Sequence, residues 1–129
     1  MLSGDIEAVI SNHTPEDIEN KKVEFDYSAW GAATISWVFP TMLESFGEDT
    51  MDQWLQTLIV GNAQFVGVKP HEIAKGNDAT FTFFSTKEKT VVSKGGKNGS
   101  KAWNVPFEGR ELLGKVKGTM IHSCYMEAQ

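Results

Sequence analysis

The chain has 129 residues, of which 40% are hydrophobic and 22% charged, so it can build a core and is predicted to be a single domain, 1–129. Its one cysteine, Cys124, excludes an internal disulfide, and no run of about eighteen apolar residues predicts a membrane span. Because the amino terminus also lacks a basic region followed by an apolar stretch, we expect an intracellular protein without a signal peptide.

Charge is distributed unevenly along the chain. Residues 1–60 hold eleven acidic residues against Lys21 and Lys22, whereas residues 61–129 hold ten basic residues against six acidic ones, for a net charge of −5. Two interpretations stay open: the charges are simply solvated, or the acidic part of one subunit attracts the basic part of the next. We expect a homo-oligomer on the second interpretation.

The first half of the chain is predicted to contain two strands and a short helix. Hydrophobic and acidic residues alternate over 23–27, and hydrophobic residues recur at every second position within 29–39. Pro40 then suits the first turn of a short helix that ends at Gly47.

The clearest local pattern is an amphipathic helix at about 50–60. Thr50 and Gln53 have the spacing of a capping box, and Gly61 is expected to end the helix in a left-handed conformation. The apolar stripe has the spacing of one helical face and consists of Met51, Trp54, Leu55, Leu58 and Ile59. A stripe this bulky requires a sheet to cover it.

The second half is predicted to be mainly strands, because hydrophobic residues alternate with polar ones in several short runs. The predicted strands are 63–68, 79–83, 90–92, 103–107 and 116–125, with a long β-hairpin near 78–107. We therefore predict an α+β fold, in which a mainly antiparallel β-sheet or sandwich packs on the one main helix.

The glycine-rich tip of the predicted hairpin, 95–100, is better explained as a turn than as a phosphate-binding loop, because no helix is predicted after its lysine. The residues around it combine positive charge with an aromatic ring. We assign five of them to a subunit interface: Lys94, Lys97, Asn98, Lys101 and Trp103. The same combination suits a nucleic-acid backbone, but the acidity of the chain disfavours nucleic acid as a specific ligand.

No spacing of histidines and cysteines predicts a metal site or a catalytic nucleophile. His122 and Cys124 share a face of the predicted last strand. A partly buried histidine beside a core cysteine explains this pair better than a metal or catalytic role does. We therefore assign no catalytic residue, no metal and no cofactor.

The run from Asp78 to Thr119, including Trp-Asn-Val-Pro-Phe-Glu-Gly at 103–109, resembles the later part of tailed-phage tail-tube and related virion proteins. The resemblance implies a β-sandwich with one helix on its flank and long hairpins that contact neighbouring subunits in a ring. On this basis we expect a non-enzymatic assembly protein of a virion that binds copies of itself.

The alternative is a small α+β pocket protein or enzyme that binds a small apolar ligand. Its cavity would lie under Trp54, lined by Trp37 and Phe81, with His122 as acid or base. A sealed apolar core would favour assembly. An open pocket that holds a histidine with a carboxylate partner would favour the enzyme.

Overall fold

The computed structural model of the protein describes residues 3–94 and 100–128. The helices are α1 (Ile18–Lys21), α2 (Val38–Phe46), α3 (Met51–Gln56) and α4 (Asn62–Phe65), with a π-helical turn at Thr57–Gly61 and 3₁₀ turns at Phe25–Tyr27 and Ile35–Trp37. The strands are β1 (Phe81–Val91), β2 (Glu111–Ile121) and β3 (Cys124–Glu127). The predicted α+β class is confirmed.

The strands form one antiparallel sheet in the order β1-β2-β3. The long hairpin is real, but its second strand is β2 and not the predicted strand at 103–107. Val92 and Arg110 close the hairpin, since the Val92 amide donates to the Arg110 carbonyl at 2.9 Å. Phe107 has a φ of 62°, a left-handed conformation that no strand can run through.

The predicted main helix is present, but it does not end at Gly61. Gly61 has a helical φ of −59°, and the chain continues through α4 before Gly67 turns it with a φ of 72°. The predicted strand at 63–68 is therefore wrong. The π-helical turn also shifts the helical register. Ile59, which we predicted on the buried stripe, is consequently exposed.

Gly61 is required for a different reason, namely the close approach of the chain near Glu7. A Cβ at position 61 would overlap the carbonyl oxygen of Glu7. The Asn62 side chain donates to the Val9 carbonyl at 2.6 Å, and the Val9 amide donates to the Thr57 carbonyl at 3.3 Å. Residues 7–9 thus lie directly on the π-helical turn.

The two strands predicted in the first half are wrong. Residues 23–27 contain a 3₁₀ turn with no buried side chain, and 29–39 bends at Gly31, whose φ is 106°. The amide of Trp37 donates to the carbonyl of Thr34 at 2.8 Å, which begins a helical turn rather than a strand. Alternation of hydrophobic residues is therefore not sufficient for a strand where the backbone forms local hydrogen bonds.

The core lies between α2, α3 and the sheet. Trp54 is fully buried with Met42 and Leu43, as predicted for the anchor of the main helix. Helix α2 approaches β2 closely at Gly114, where an added Cβ would lie 2.9 Å from Cδ2 of Leu43. No helix among residues 3–94 and 100–128 is long and apolar enough to cross a membrane.

Candidate functional site

The segment from 11 to 17, which we call the His13 loop, is held by an unusual set of polar contacts. Asn12 has a φ of 46°, a left-handed conformation that asparagine tolerates better than most residues. His13 then forms an isolated parallel bridge with Ala32, and the Thr14 amide donates to the Ala32 carbonyl at 2.9 Å. The loop is therefore attached to the segment that leads into α2.

The His13 ring is fixed by backbone groups. Its Nδ1 accepts hydrogen bonds from the amide of Thr34 at 3.0 Å and from the amide of Ile35 at 3.3 Å. An Nδ1 that accepts has no proton, so the neutral imidazole carries its proton on Nε2. These two amides begin the 3₁₀ turn at 35–37, where backbone donors have no helical partner.

A single asparagine, Asn104, joins the His13 loop to two other segments. Its Nδ2 donates to the carbonyls of Thr14 at 2.8 Å and Gly31 at 3.2 Å, and its Oδ1 accepts from the Glu16 amide at 3.0 Å. Its own carbonyl accepts from the Ala33 amide at 3.0 Å. Asn104 therefore uses its side chain and main chain to fix the shape of the loop.

An apolar cleft of about 190 Å³ lies at one end of the His13 loop. The volume suits a group of a few heavy atoms rather than a whole drug-sized ligand. Its lining comes from the start of the loop and the two residues before it, from α2 and its preceding turn, and from two residues ahead of β2: Val9, Ile10, Ser11, Thr34, Trp37, Val38, Thr41, Met42, Pro106 and Phe107.

A polar cleft of about 270 Å³ lies at the other end of the same loop. Its lining includes the acidic residues Glu16 and Asp17 together with Ser100 and Lys101. One basic and two acidic residues therefore line this cleft. The cleft can therefore accept N–H donors at its acidic side and hold one negatively charged group at Lys101.

The residues assigned to a subunit interface are only partly brought together. The Lys94 ammonium lies 4.9 Å from the ring centroid of Trp103 and forms an ion pair with Glu108 at 3.0 Å, so both of its contacts lie within the chain. Lys101 lines the polar cleft instead. Lys97 and Asn98 lie outside the described residues, and self-association through this region stays a prediction.

The three residues that we placed around the cavity of the enzyme alternative lie in different surroundings. Trp37 lines the apolar cleft, whereas Trp54 is sealed in the core and Phe81 packs edge-on against Phe83. His122 occupies a turn with a φ of 47° and lies 3.8 Å from the carboxylate of Asp78. Both side chains are more than 70% exposed, so this pair sits on the open surface and outside both clefts.

Cys124 begins β3 and is exposed, which contradicts the interpretation of it as a core residue. Elsewhere on the sheet, Lys117 of β2 donates a hydrogen bond to Glu88 of β1, and this contact lowers the pKa of the Glu88 carboxyl. Among the described residues, no three histidine, cysteine or acidic side chains are grouped closely enough to hold a metal ion.

His13 and Asn104 carry the site, and sequence reasoning assigned a role to neither. Their importance comes from contacts between positions 90 residues apart, such as Asn104 with Thr14. The signal that could have found them is local: His13 and Asn104 each lie two residues before a proline, Pro15 and Pro106, and proline marks a loop.

No model of a protein family matches the chain. Curated relatives do match it, and those that follow carry the name dihydroorotase. The protein from Acetivibrio thermocellus is 29% identical over 125 residues, which cover 95% of this chain and 29% of the relative. The one from Sulfurihydrogenibium sp. is 31% identical over 123 residues, covering 94% of this chain and 29% of the relative. The one from Thermoanaerobacter sp. is 30% identical over 124 residues, covering 94% of this chain and 28% of the relative.

These relatives overturn two expectations. A match along nearly the whole chain to proteins named as enzymes outweighs the resemblance of residues 78–119 to phage tail-tube proteins, and that assignment is wrong. The expectation of a non-enzymatic virion subunit is wrong with it, and the enzyme alternative is better supported. The chain is similar over nearly its full length to dihydroorotases, and it spans less than a third of their length.

Proposed function

We propose that this chain forms part of a dihydroorotase-type enzyme and contributes to its binding of dihydroorotate. The observation that carries the proposal is the similarity over 94–95% of the chain to curated proteins of that name. Because the chain spans only 28–29% of those proteins, we assign the activity to a complete enzyme and not to these 129 residues alone.

The His13 loop supports the proposal from the structure. The loop has a fixed shape, and a preorganised loop loses less entropy when it binds a ligand. Its histidine presents a proton on Nε2, which can donate to a carbonyl or carboxylate oxygen. Dihydroorotate has oxygens of both kinds.

The polar cleft offers complementary groups for the rest of such a molecule. Lys101 can pair with a carboxylate, and the Glu16 and Asp17 carboxylates can accept from the N–H groups of a cyclic ureide. We therefore place the contribution of this chain to substrate binding at the His13 loop.

The test is a chimera in which this chain replaces the matched segment of the Acetivibrio thermocellus dihydroorotase. We expect the chimera to turn over dihydroorotate, whereas the same enzyme with the segment deleted does not. Circular dichroism and a cooperative thermal transition establish that the chimera is folded. A folded chimera with no more turnover than the deletion would refute the proposed function.

A further inference from the structure

The segment 20–30, which we call the aromatic loop, holds its own shape. The Ala29 amide donates to the Asn20 carbonyl at 3.0 Å, and the Lys21 ammonium donates to the Ala29 carbonyl, so the two ends of the loop are tied together. Inside the loop, the amide of Tyr27 donates to the Glu24 carbonyl at 2.9 Å. These bonds form a compact surface loop of the kind that often carries function.

This ordered loop leaves its largest side chains in solvent. Phe25 is 88% exposed, Tyr27 is 78% exposed and Trp30 is 89% exposed. Isolated exposed apolar residues are normal, but three aromatics within six positions of a fixed loop are the anchors that a protein interface uses. Aromatic side chains also bind at a low entropic cost, because they have few rotatable bonds.

The charge around the aromatics indicates the chemistry of the partner. Glu24 and Asp26 alternate with the aromatic residues, and Glu19 lies just before the loop. Lys21 and Lys22 lie at the start of the loop, so its two basic and two acidic residues cancel in net charge. A complementary surface therefore has an apolar pocket for the rings and a polar rim for the charged groups around them.

The aromatic loop is continuous with the candidate site. Gly31 follows it directly, and a Cβ at Gly31 would overlap the side chain of Thr14, so the base of the aromatic loop packs on the His13 loop. Asn104 bonds to the carbonyls of both residues. A partner bound to the aromatic loop therefore lies beside the His13 loop.

We infer that the aromatic loop docks into an apolar pocket with a polar rim, on the part of a dihydroorotase-type enzyme that this chain does not match. The inference rests on the proposed function, and it names the partner that completes the site. Its further support is length, because more than two thirds of each relative lies outside the match.

The binding test uses the Sulfurihydrogenibium dihydroorotase from which the matched segment has been removed. Titration calorimetry should detect binding of the full chain, and Trp30→Ser should weaken it at least about 30-fold, as expected for an interface anchor. Phe65→Ser is the matched control, since Phe65 is 85% exposed on α4, outside the aromatic loop, and this variant should bind like the original chain. Equal affinity for all three chains would overturn the inference.

A second measurement applies if the truncated relative does not fold. In the Acetivibrio chimera the partner is covalently present, so Trp30 should be protected from acrylamide quenching relative to Trp30 in the isolated chain, with Trp30→Phe identifying its emission. Equal quenching in both would overturn the inference. A dimer of the isolated chain that Trp30→Ser abolishes would also overturn it, because the occupant would be a second copy.

The two proposals fail in different ways. Binding that depends on Trp30, without turnover of dihydroorotate by the chimera, supports the docking surface and refutes the proposed function. If the chimera turns over dihydroorotate, Trp30→Ser leaves that turnover unchanged, and acrylamide quenches Trp30 as strongly as in the isolated chain, the proposed function is supported and the docking surface is refuted.

Discussion

Substituting Gly61 by alanine tests how the amino-terminal segment is held. Alanine inside a helix is favoured over glycine by about 1 kcal/mol, so a sequence-based argument predicts stabilisation. The structure predicts the opposite. The new Cβ would overlap the Glu7 carbonyl and displace residues 7–9 from the π-helical turn.

The expected magnitude follows from the hydrogen bonds and the apolar burial that hold residues 7–9 in place. Displacement removes the hydrogen bonds of Val9 with Asn62 and Thr57, worth about 1 kcal/mol each. It also exposes Val9, which is half-buried against the core and contributes about 1 kcal/mol more. After the gain in helix propensity, Gly61→Ala should lower the free energy of unfolding by about 2 kcal/mol.

Urea denaturation followed by far-ultraviolet circular dichroism measures the change. Gln64→Ala, on the exposed side of α4, is the control and should change stability by less than about 0.5 kcal/mol. In a chain that begins at residue 11, Gly61→Ala should instead stabilise by about 1 kcal/mol, because Glu7 is absent. Stabilisation in the full chain as well would refute the account of this contact.

Three further predictions concern the core, the site and the sheet. Trp54→Ala should lower the free energy of unfolding by about 3–5 kcal/mol in chemical denaturation, and a loss below about 1 kcal/mol would contradict its place in the core. Asn104→Leu should lower it by about 2–4 kcal/mol, because three backbone groups lose their partner, and hydrogen exchange of the Glu16 amide should accelerate; unchanged exchange would contradict this. The lowered pKa of Glu88 stabilises the fold above the ordinary pKa of 4.5, and this stabilisation is lost as pH falls through the lowered value. Lys117→Met should therefore flatten the dependence of the urea midpoint on pH below about 4.5, and an unchanged slope would contradict the pairing.

The sequence was informative where a pattern reports directly on packing. The stripe containing Met51, Trp54 and Leu55 predicted a helix that anchors the core, and the alternation near 79–83 predicted the start of a long strand. Even in this strand, the structure departs from strict alternation. A register shift between Phe83 and Phe84 turns Phe84 toward Phe39 of α2, with ring centroids 4.5 Å apart, and leaves Phe83 exposed.

The sequence failed where a residue serves a distant contact. Gly61 has the appearance of a helix terminator, but it is needed because Glu7 approaches it, and nothing near position 61 reveals that approach. The alternating residues at 23–27 satisfied the pattern of a half-buried strand, yet Phe25 and Tyr27 face solvent in a local turn. Periodicity indicates which side chains could be buried together, but not whether the isolated chain buries them.

The candidate site was missed for the same reason. The ring of His13 is fixed by the amides of residues 34 and 35, and Asn104 reaches back to Thr14 across the chain. The local sequence shows that these side chains can form such hydrogen bonds, but it does not identify the groups that they bind. His122 had the more conspicuous spacing with Cys124, and the structure places both on exposed surface.

Turnover of dihydroorotate by the Acetivibrio chimera, with and without changes at His13, tests the central claim most directly. His13→Asn keeps an acceptor near the position of Nδ1 but removes the Nε2 proton, whereas His13→Ala removes both. We predict turnover by the chimera, a loss of at least about tenfold in kcat/KM with unchanged thermal stability for His13→Asn, and a similar loss with a lower Tm for His13→Ala. A folded chimera with turnover no higher than that of the deletion, and unaffected by either substitution, would contradict the claim.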